Sequence, residues 1–182
     1  GLIILKQLII TEKPSVAINI ANALAVKNRK DGYIENDKYI ITWCYGHLDT
    51  LANADSYDGK YAIWRKEDLP ILPAPWRLKI ADKIKYDHFK ILKSLMYRKD
   101  VTEIINACDA GREGELIFRN MFKLSECRKP VKRLWVSSME DEAIIEGFKH
   151  LKPSKFYDNL YFAADCRAKA DWLVGINLTR FF

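Results

Sequence analysis

Short apolar runs of strand length recur along this chain, and each is followed within a few residues by a longer stretch of helical period. That alternation constrains the fold more than any other feature. Residues 6–12 (KQLIITE) form a nearly unbroken apolar run, the mark of a strand buried on both faces. Pro14 then suits the first turn of a helix, where its missing N–H costs nothing, and Val16, Ile20, Ala23 and Leu24 fall on one helical face. Residues 32–48 read as two strands joined by a turn at Asn36-Asp37, and residues 53–80, rich in Pro, Trp, Tyr and Asp, as an irregular loop. Residues 82–99 give a basic amphipathic helix with Ile84, Phe89, Leu92 and Met96 toward the core. A second buried strand (101–107, VTEIINA), a helix from Arg112, a third strand (131–137, VKRLWVS) and a further helix follow. Ser137 and Glu140 make a capping-box pattern for that last helix. The chain closes in a long helical pattern from about Tyr157. Strands alternating with helices predict an α/β fold: a parallel-rich central sheet with helices on both faces, plus a C-terminal helical extension.

In such sheets ligands gather outside the carboxyl ends of the strands. Two strand ends carry acids there. Glu12 closes the first strand, with Lys13 beside it; Asp109 follows the second, inside the stretch ACDAGREGELI (107–117). Glu113 lies one helical turn beyond Asp109 and faces the same rim. Glu115, two residues on and so about 200° around the helix, points elsewhere and is expected to pack or to support the site from behind. Carboxylates gathered in this way repel unless a cation joins them, and with no Cys or His grouped beside them the hard-oxygen set fits Mg²⁺. Lys13 can stabilise charge on a phosphate, and Gly111 and Gly114 permit a tight turn. Acidic residues also favour helix N-termini for dipole reasons alone, so spacing by itself gives a candidate Mg²⁺ site and not a reaction.

The 182 residues are 49% hydrophobic, enough for a packed core, and carry a net charge of +6, which is compatible with a polyanionic partner. Cys44, Cys108, Cys127 and Cys166 form no C-x-x-C pair and fit a reduced, intracellular setting. The opening GLIILKQLII is too short to span a bilayer and Lys6 interrupts it. The final apolar pattern stops without Gly, Pro or a polar tail, so the chain is expected to be a piece of a longer protein.

IITEKPSVA together with ACDAGREGELIF resembles the Toprim domain shared by type IA topoisomerases, primases and some nucleases. TWCYGHLDTLA, YDGKYAIWRKEDLPILP, RLWVSSMEDEAI and AADCRAKADWLVGINLTR narrow the resemblance to the amino-terminal part of type IA topoisomerases of the bacterial topoisomerase III branch, over about residues 7–182. The resemblance implies a Rossmann-like Toprim domain over residues 1–152 and, over 153–182, the start of a helical domain that holds single-stranded DNA. It implies an ATP-independent, Mg²⁺-dependent cut of one DNA strand by a tyrosine, passage of another strand and resealing, in the bacterial cytoplasm. By motif, Glu12 matches a metal ligand and proton donor, Lys13 a transition-state stabiliser, and Asp109 and Glu113 the first acid and the glutamate of D-x-D-x-E. Gly111 stands where that motif has its second acid, which leaves one metal ion or two as an open question. Trp172 and Arg180 match DNA-contacting residues, and Arg167 adds a cation on the same segment; Trp172 can equally pack the helix. Trp64 reads as core packing and His47 as a loop histidine. None of the nine tyrosines falls in the motif expected for the nucleophile, so this chain alone is expected not to cleave. The expected partners are single-stranded or underwound DNA and downstream domains of the same protein, with no membrane. A Toprim nuclease or primase, and a non-catalytic DNA-binding module, are the alternatives.

Overall fold

The computed structural model describes all 182 residues, Gly1–Phe182. Its core is a seven-stranded sheet. The elements run β1 (Lys6–Thr11), α1 (Pro14–Ala23), β2 (Asn28–Lys30), β3 (Tyr33–Glu35), β4 (Tyr39–Trp43), β5 (Asp49–Leu51), β6 (Leu78–Ile80), α2 (Lys83–Met96), β7 (Val101–Ala107), α3 (Arg112–Ser125), β8 (Val131–Arg133), α4 (Asp141–Lys149), β9 (Lys152–Pro153) and α5 (Asp158–Phe181). The sheet order is β2-β3-β4-β1-β7-β8-β9. β4, β1, β7 and β8 are parallel, while β2, β3 and β9 add antiparallel edges. After β1 the chain crosses to the edge of one side, builds inward through β2, β3 and β4, and then places β7 on the other side of β1. The point where the strand order reverses therefore lies between β1 and β7.

Alternation along the central strands divides the core in two. Leu8, Ile10, Ile40 and Ile104 face α2 and α3, with Leu92, Met96, Phe118 and Met121. Ile9, Ile41 and Ile105 face α1 and α4, with Ala17, Ile20 and Ile144. Burial on both faces is why these strands read as continuous apolar runs. Lys13 is the N-cap residue of α1 and Pro14 follows at its first turn. Asn36 makes the β3–β4 turn by accepting hydrogen bonds at Oδ1 from the backbone N–H of Lys38 and Tyr39.

Several sequence expectations are corrected. β8 ends at Arg133, because the chain leaves the sheet where the Arg133 side chain turns inward. Ser137 does not cap α4; the helix starts at Asp141, and the backbone N–H of Glu140 bonds to Ser138 Oγ instead. Ile84 is not on the buried face of α2 but 77% exposed, since it sits in the first turn, beyond the edge of the core. The segment from 53 to 80 is not wholly irregular: β6 pairs antiparallel with β5 in a small second sheet, and three 3₁₀ turns lie before it.

Candidate functional site

Glu12 directly follows β1 and Asp109 follows β7 by two residues, so neighbouring parallel strands deliver both carboxylates to the point of reversal. Glu12 is 8% exposed and its Oε1 has no hydrogen-bond partner. Burial pushes the Glu12 carboxyl above its ordinary range, the adjacent Asp109 pushes it further, Lys13 pulls it back and Glu113 adds a smaller upward push. Among its charged neighbours, Asp109 acts most strongly on Glu12. Lys13 and Asp109 are exposed.

Glu113 is held differently. The β4 end and the loop after it are tied to the end of β1: Cys44 N–H donates to Thr11 O at 2.8 Å and Gly46 N–H to Glu12 O at 3.1 Å. This carries His47 over to α3, where its Nε2 meets Glu113 Oε1. His47, read from sequence as an ordinary loop residue, is therefore a direct neighbour of the acidic group, a placement only the β1–β4 pairing reveals. Glu113 remains largely exposed, and no three acidic, histidine or cysteine side chains converge into a closed cation cage. The structure brings Glu12 and Asp109 together and leaves Glu113 alongside them, paired to His47.

Beneath the rim lies a network that the sequence motif does not contain. Glu115 is 1% exposed; Arg133 Nε lies 2.6 Å from its Oε1 and Arg119 Nε 2.9 Å from its Oε2. Arg133 Nη2 donates to the backbone carbonyl of Asp109 at 2.7 Å, and its Nη1 donates to the carbonyl of Cys108. Arg133 thus grips the turn that presents Asp109, and Glu115 neutralises Arg133. One signal was readable: an Arg four residues after a carboxylate that points inward. Gly114 completes the turn. A Cβ there would sit 2.0 Å from Asp109 O, so only glycine lets α3 pass that carbonyl. Gly111 has φ +152, a region that favours glycine, although a Cβ would meet nothing within 4 Å.

The hard oxygen donors Glu12 and Asp109, one with an unpartnered buried oxygen, fit a divalent cation of the Mg²⁺ type. From this rim, contiguous clefts run along α5. One of about 490 Å³ is bounded by Glu113, Arg112, Arg167 and Asp171. It shares His47, Leu116 and Ala168 with a second of about 520 Å³, which reaches Trp172. A third, of about 260 Å³, lies between Trp64, Trp172 and Arg180. Trp172 makes edge contacts with Trp76 (5.4 Å between centroids) and Tyr57 (6.2 Å), so it packs and also borders two clefts. Arg180 is engaged, donating to Tyr61 O at 2.6 Å with its guanidinium over the Trp64 ring. Trp64 is 61% exposed, against the core role read from sequence. Arg167 is exposed. All four cysteines are free thiols, and no helix is long and apolar enough to cross a membrane.

Comparison with known proteins gives three findings. A family model described as "Toprim domain" matches residues 7–139, which include Glu12, Asp109 and Glu113. Proteins named DNA topoisomerase 3 from Bacillus cereus and Bacillus subtilis are 51% and 49% identical to this chain over 175 residues, 96% of it. The chain spans 24% of the length of those relatives. Full-length topoisomerase I from Thermotoga maritima superposes with a TM-score of 0.51 at 23% identity, over 80% of this chain and 21% of that one, a likeness of fold. On the matched residues and the strand order that carries them, the chain belongs to the Toprim domain family.

Proposed function

We propose that this chain is the acidic, cation-binding part of a type IA DNA topoisomerase of the topoisomerase III kind, working on single-stranded or underwound DNA. The observation that carries the reading is the pairing of Glu12 and Asp109 at the strand-order reversal, with a buried Glu12 oxygen left unpartnered. The similarity of the chain to proteins named DNA topoisomerase 3 supports it. Glu12 and Asp109 would hold one Mg²⁺, with Glu113 reaching it directly or through water. When bound, the ion supplies positive charge to a phosphodiester and screens the carboxylates from one another. Glu12, its carboxyl raised toward the protonated form by burial and by Asp109, stands where a proton could pass to a leaving 3′ oxygen. Lys13, exposed beside it, presents a cation to the phosphate. Arg133 and Glu115 fix the Asp109 turn from below.

The clefts along α5, bordered by Arg112, Arg167 and Trp172, offer cations and an aromatic surface of the kind that holds unpaired strands. Residues 153–182 are then the start of the strand-holding domain, and the attacking tyrosine comes from another part of a longer parent protein. Two measurements test this. In a full-length parent carrying Glu12→Gln and Asp109→Asn together, relaxation of supercoiled DNA should fall by at least about 100-fold; survival of relaxation sinks the reading. This chain alone, given Mg²⁺ and a labelled oligonucleotide, should form no covalent adduct. Metal-dependent hydrolysis without an adduct would favour a Toprim nuclease instead.

A further inference from the structure

His47 and Glu113 make the one contact at the acidic rim that the Glu12–Asp109 pair does not explain. Nε2 of His47 meets Glu113 Oε1, and since a carboxylate can only accept, the imidazole N–H donates. Glu113 stands in the first turn of α3, its side chain 68% exposed and without another hydrogen bond or ion pair. Left alone, an exposed glutamate samples many rotamers, and gathering it onto a cation costs that freedom. The imidazole, by contrast, is carried on a segment fixed at each step. Gly46 N–H donates to Glu12 O at 3.1 Å, so the residue before His47 is bonded to the backbone of Glu12 itself. Lys85 Nζ, from α2, donates to the His47 carbonyl at 2.6 Å. Ala81 N–H donates to Leu48 O at 2.9 Å, and the Leu48 side chain is 1% exposed, which anchors the residue after His47 in the core. The His47 side chain is itself 40% exposed, so burial is not what holds it against Glu113.

We propose that His47 is a positioning residue for the cation site: by donating Nε2–H to Glu113 Oε1 it holds that carboxylate at the rim, and leaves the second carboxylate oxygen free for a divalent cation or for a water bound to one. The proposal rests on the Mg²⁺ reading above. Mg²⁺ takes oxygen ligands, so the imidazole acts from behind the carboxylate and not as a ligand. Because the Gly46 tie runs to Glu12, the same strand end that delivers one acid also sets the place of the group that orients another. A carboxylate held in this way keeps its orientation, and loss of such a partner commonly lowers metal affinity roughly 10–100-fold. The exposure of this pair places the expected effect at the lower end of that range.

The test is a titration of the isotope-labelled 182-residue chain with Mg²⁺ alone, read by NMR from the backbone amides between Cys108 and Gly114. His47→Ala should weaken Mg²⁺ binding about tenfold. His47→Gln, which keeps a side-chain N–H donor, should recover affinity to within about threefold of wild type; a histidine needed only for packing would not be replaced in this way. In a Glu113→Ala chain, the further change His47→Ala should alter the affinity by less than about twofold, because the carboxylate it positions is gone. A measurement on the wild type needs no variant to fold: imidazole nitrogen shifts should show His47 Nε2 still protonated and bonded to Glu113 after Mg²⁺ is added. Release of that bond by Mg²⁺, or tighter Mg²⁺ binding by His47→Ala, overturns the proposal, since His47 would then keep Glu113 from the ion. Unchanged Mg²⁺ affinity in a folded His47→Ala overturns it also and leaves the cation reading intact. No Mg²⁺-dependent shift at these amides in the wild type overturns both.

Discussion

At the scale of single residues, the acidic turn depends on two glycines for different reasons. Gly114 is needed for space. A methyl group there would stand 2.0 Å from the Asp109 carbonyl, and the atom in its way is backbone, held from behind by Arg133. Relief therefore requires α3 to move away from the turn. Gly114→Ala is expected to cost about 3 kcal/mol, at the upper end for overpacking, and to displace Asp109. Urea unfolding should show a lowered midpoint at an unchanged slope; a variant within about 0.5 kcal/mol of wild type would mean that the turn yields freely. Gly111 is needed for conformation: its side is open but its φ of +152 is one that side chains rarely adopt. The acid that D-x-D-x-E motifs carry at this position would be seated here on a strained backbone. The glycine is thus matched to the backbone of this turn, which is compatible with an acidic group built on Glu12 and Asp109.

At the scale of elements, the sheet is secured at both ends of its central strands by charge pairs of unlike character. Behind the carboxyl ends, Glu115 and Arg133 are each 1% exposed, so removing one partner strands a buried charge. Glu115→Gln should cost about 3–5 kcal/mol, whereas Glu115→Leu with Arg133→Met should cost less, because no fully buried charge is left behind and Arg119 keeps its pair with Asp158. Equal losses for the two in thermal unfolding would contradict this. At the amino ends, Arg98 grips Asp100 through Nε at 3.0 Å and Nη2 at 2.7 Å and also reaches Glu35. Arg98 holds the Asp100 carboxyl below its ordinary range. A depressed folded pKa stabilises the fold above the unfolded value of about 3.9 and loses that contribution as pH falls through the folded one. Asp100→Asn should therefore remove about 1 kcal/mol at pH 7 and little at pH 2, read from denaturant midpoints across that range. Much of this level was legible in the sequence. The runs 6–12 and 101–107 announced buried strands because both faces are covered, and the same strands placed Glu12 and Asp109 together. The inward turn of Glu115 followed from its two-residue offset. What was not legible depended on pairing between distant segments: His47 reaches Glu113 only because β4 lies beside β1, and β5 finds β6 across a long loop whose composition hid the second sheet.

At the scale of the whole molecule, the question is what makes the long loop between β5 and β6 and the C-terminal helix a single wall along the clefts. Hydrophobic burial alone gives a weak answer, since α5 buries only Ala164 fully, and Val174, Leu178 and Phe181 are exposed. The tie is polar and specific. Asn177 accepts from the backbone N–H of Ile71 at 2.7 Å and donates through Nδ2 to the Ile71 carbonyl at 3.1 Å. Ile71 is itself 1% exposed, so neither backbone group has water as an alternative. One side chain thus satisfies both polar groups of a residue 106 positions away, and Arg180 adds a second tie to Tyr61 O. Asn177→Leu keeps the bulk and removes both bonds, leaving a buried donor and acceptor unpaired at about 1–3 kcal/mol each. The sheet core, built on the strands with α1 to α4, does not depend on that contact, so the loss should appear as local opening and not as global unfolding. Hydrogen exchange should accelerate at the Ile71 amide and across residues 53–77 while β1 and β7 stay protected, and limited proteolysis should cut first within that loop. If β1 and β7 lose protection together with the loop, the wall and the sheet unfold as one cooperative unit, and the clefts along α5 are then as rigid as the core.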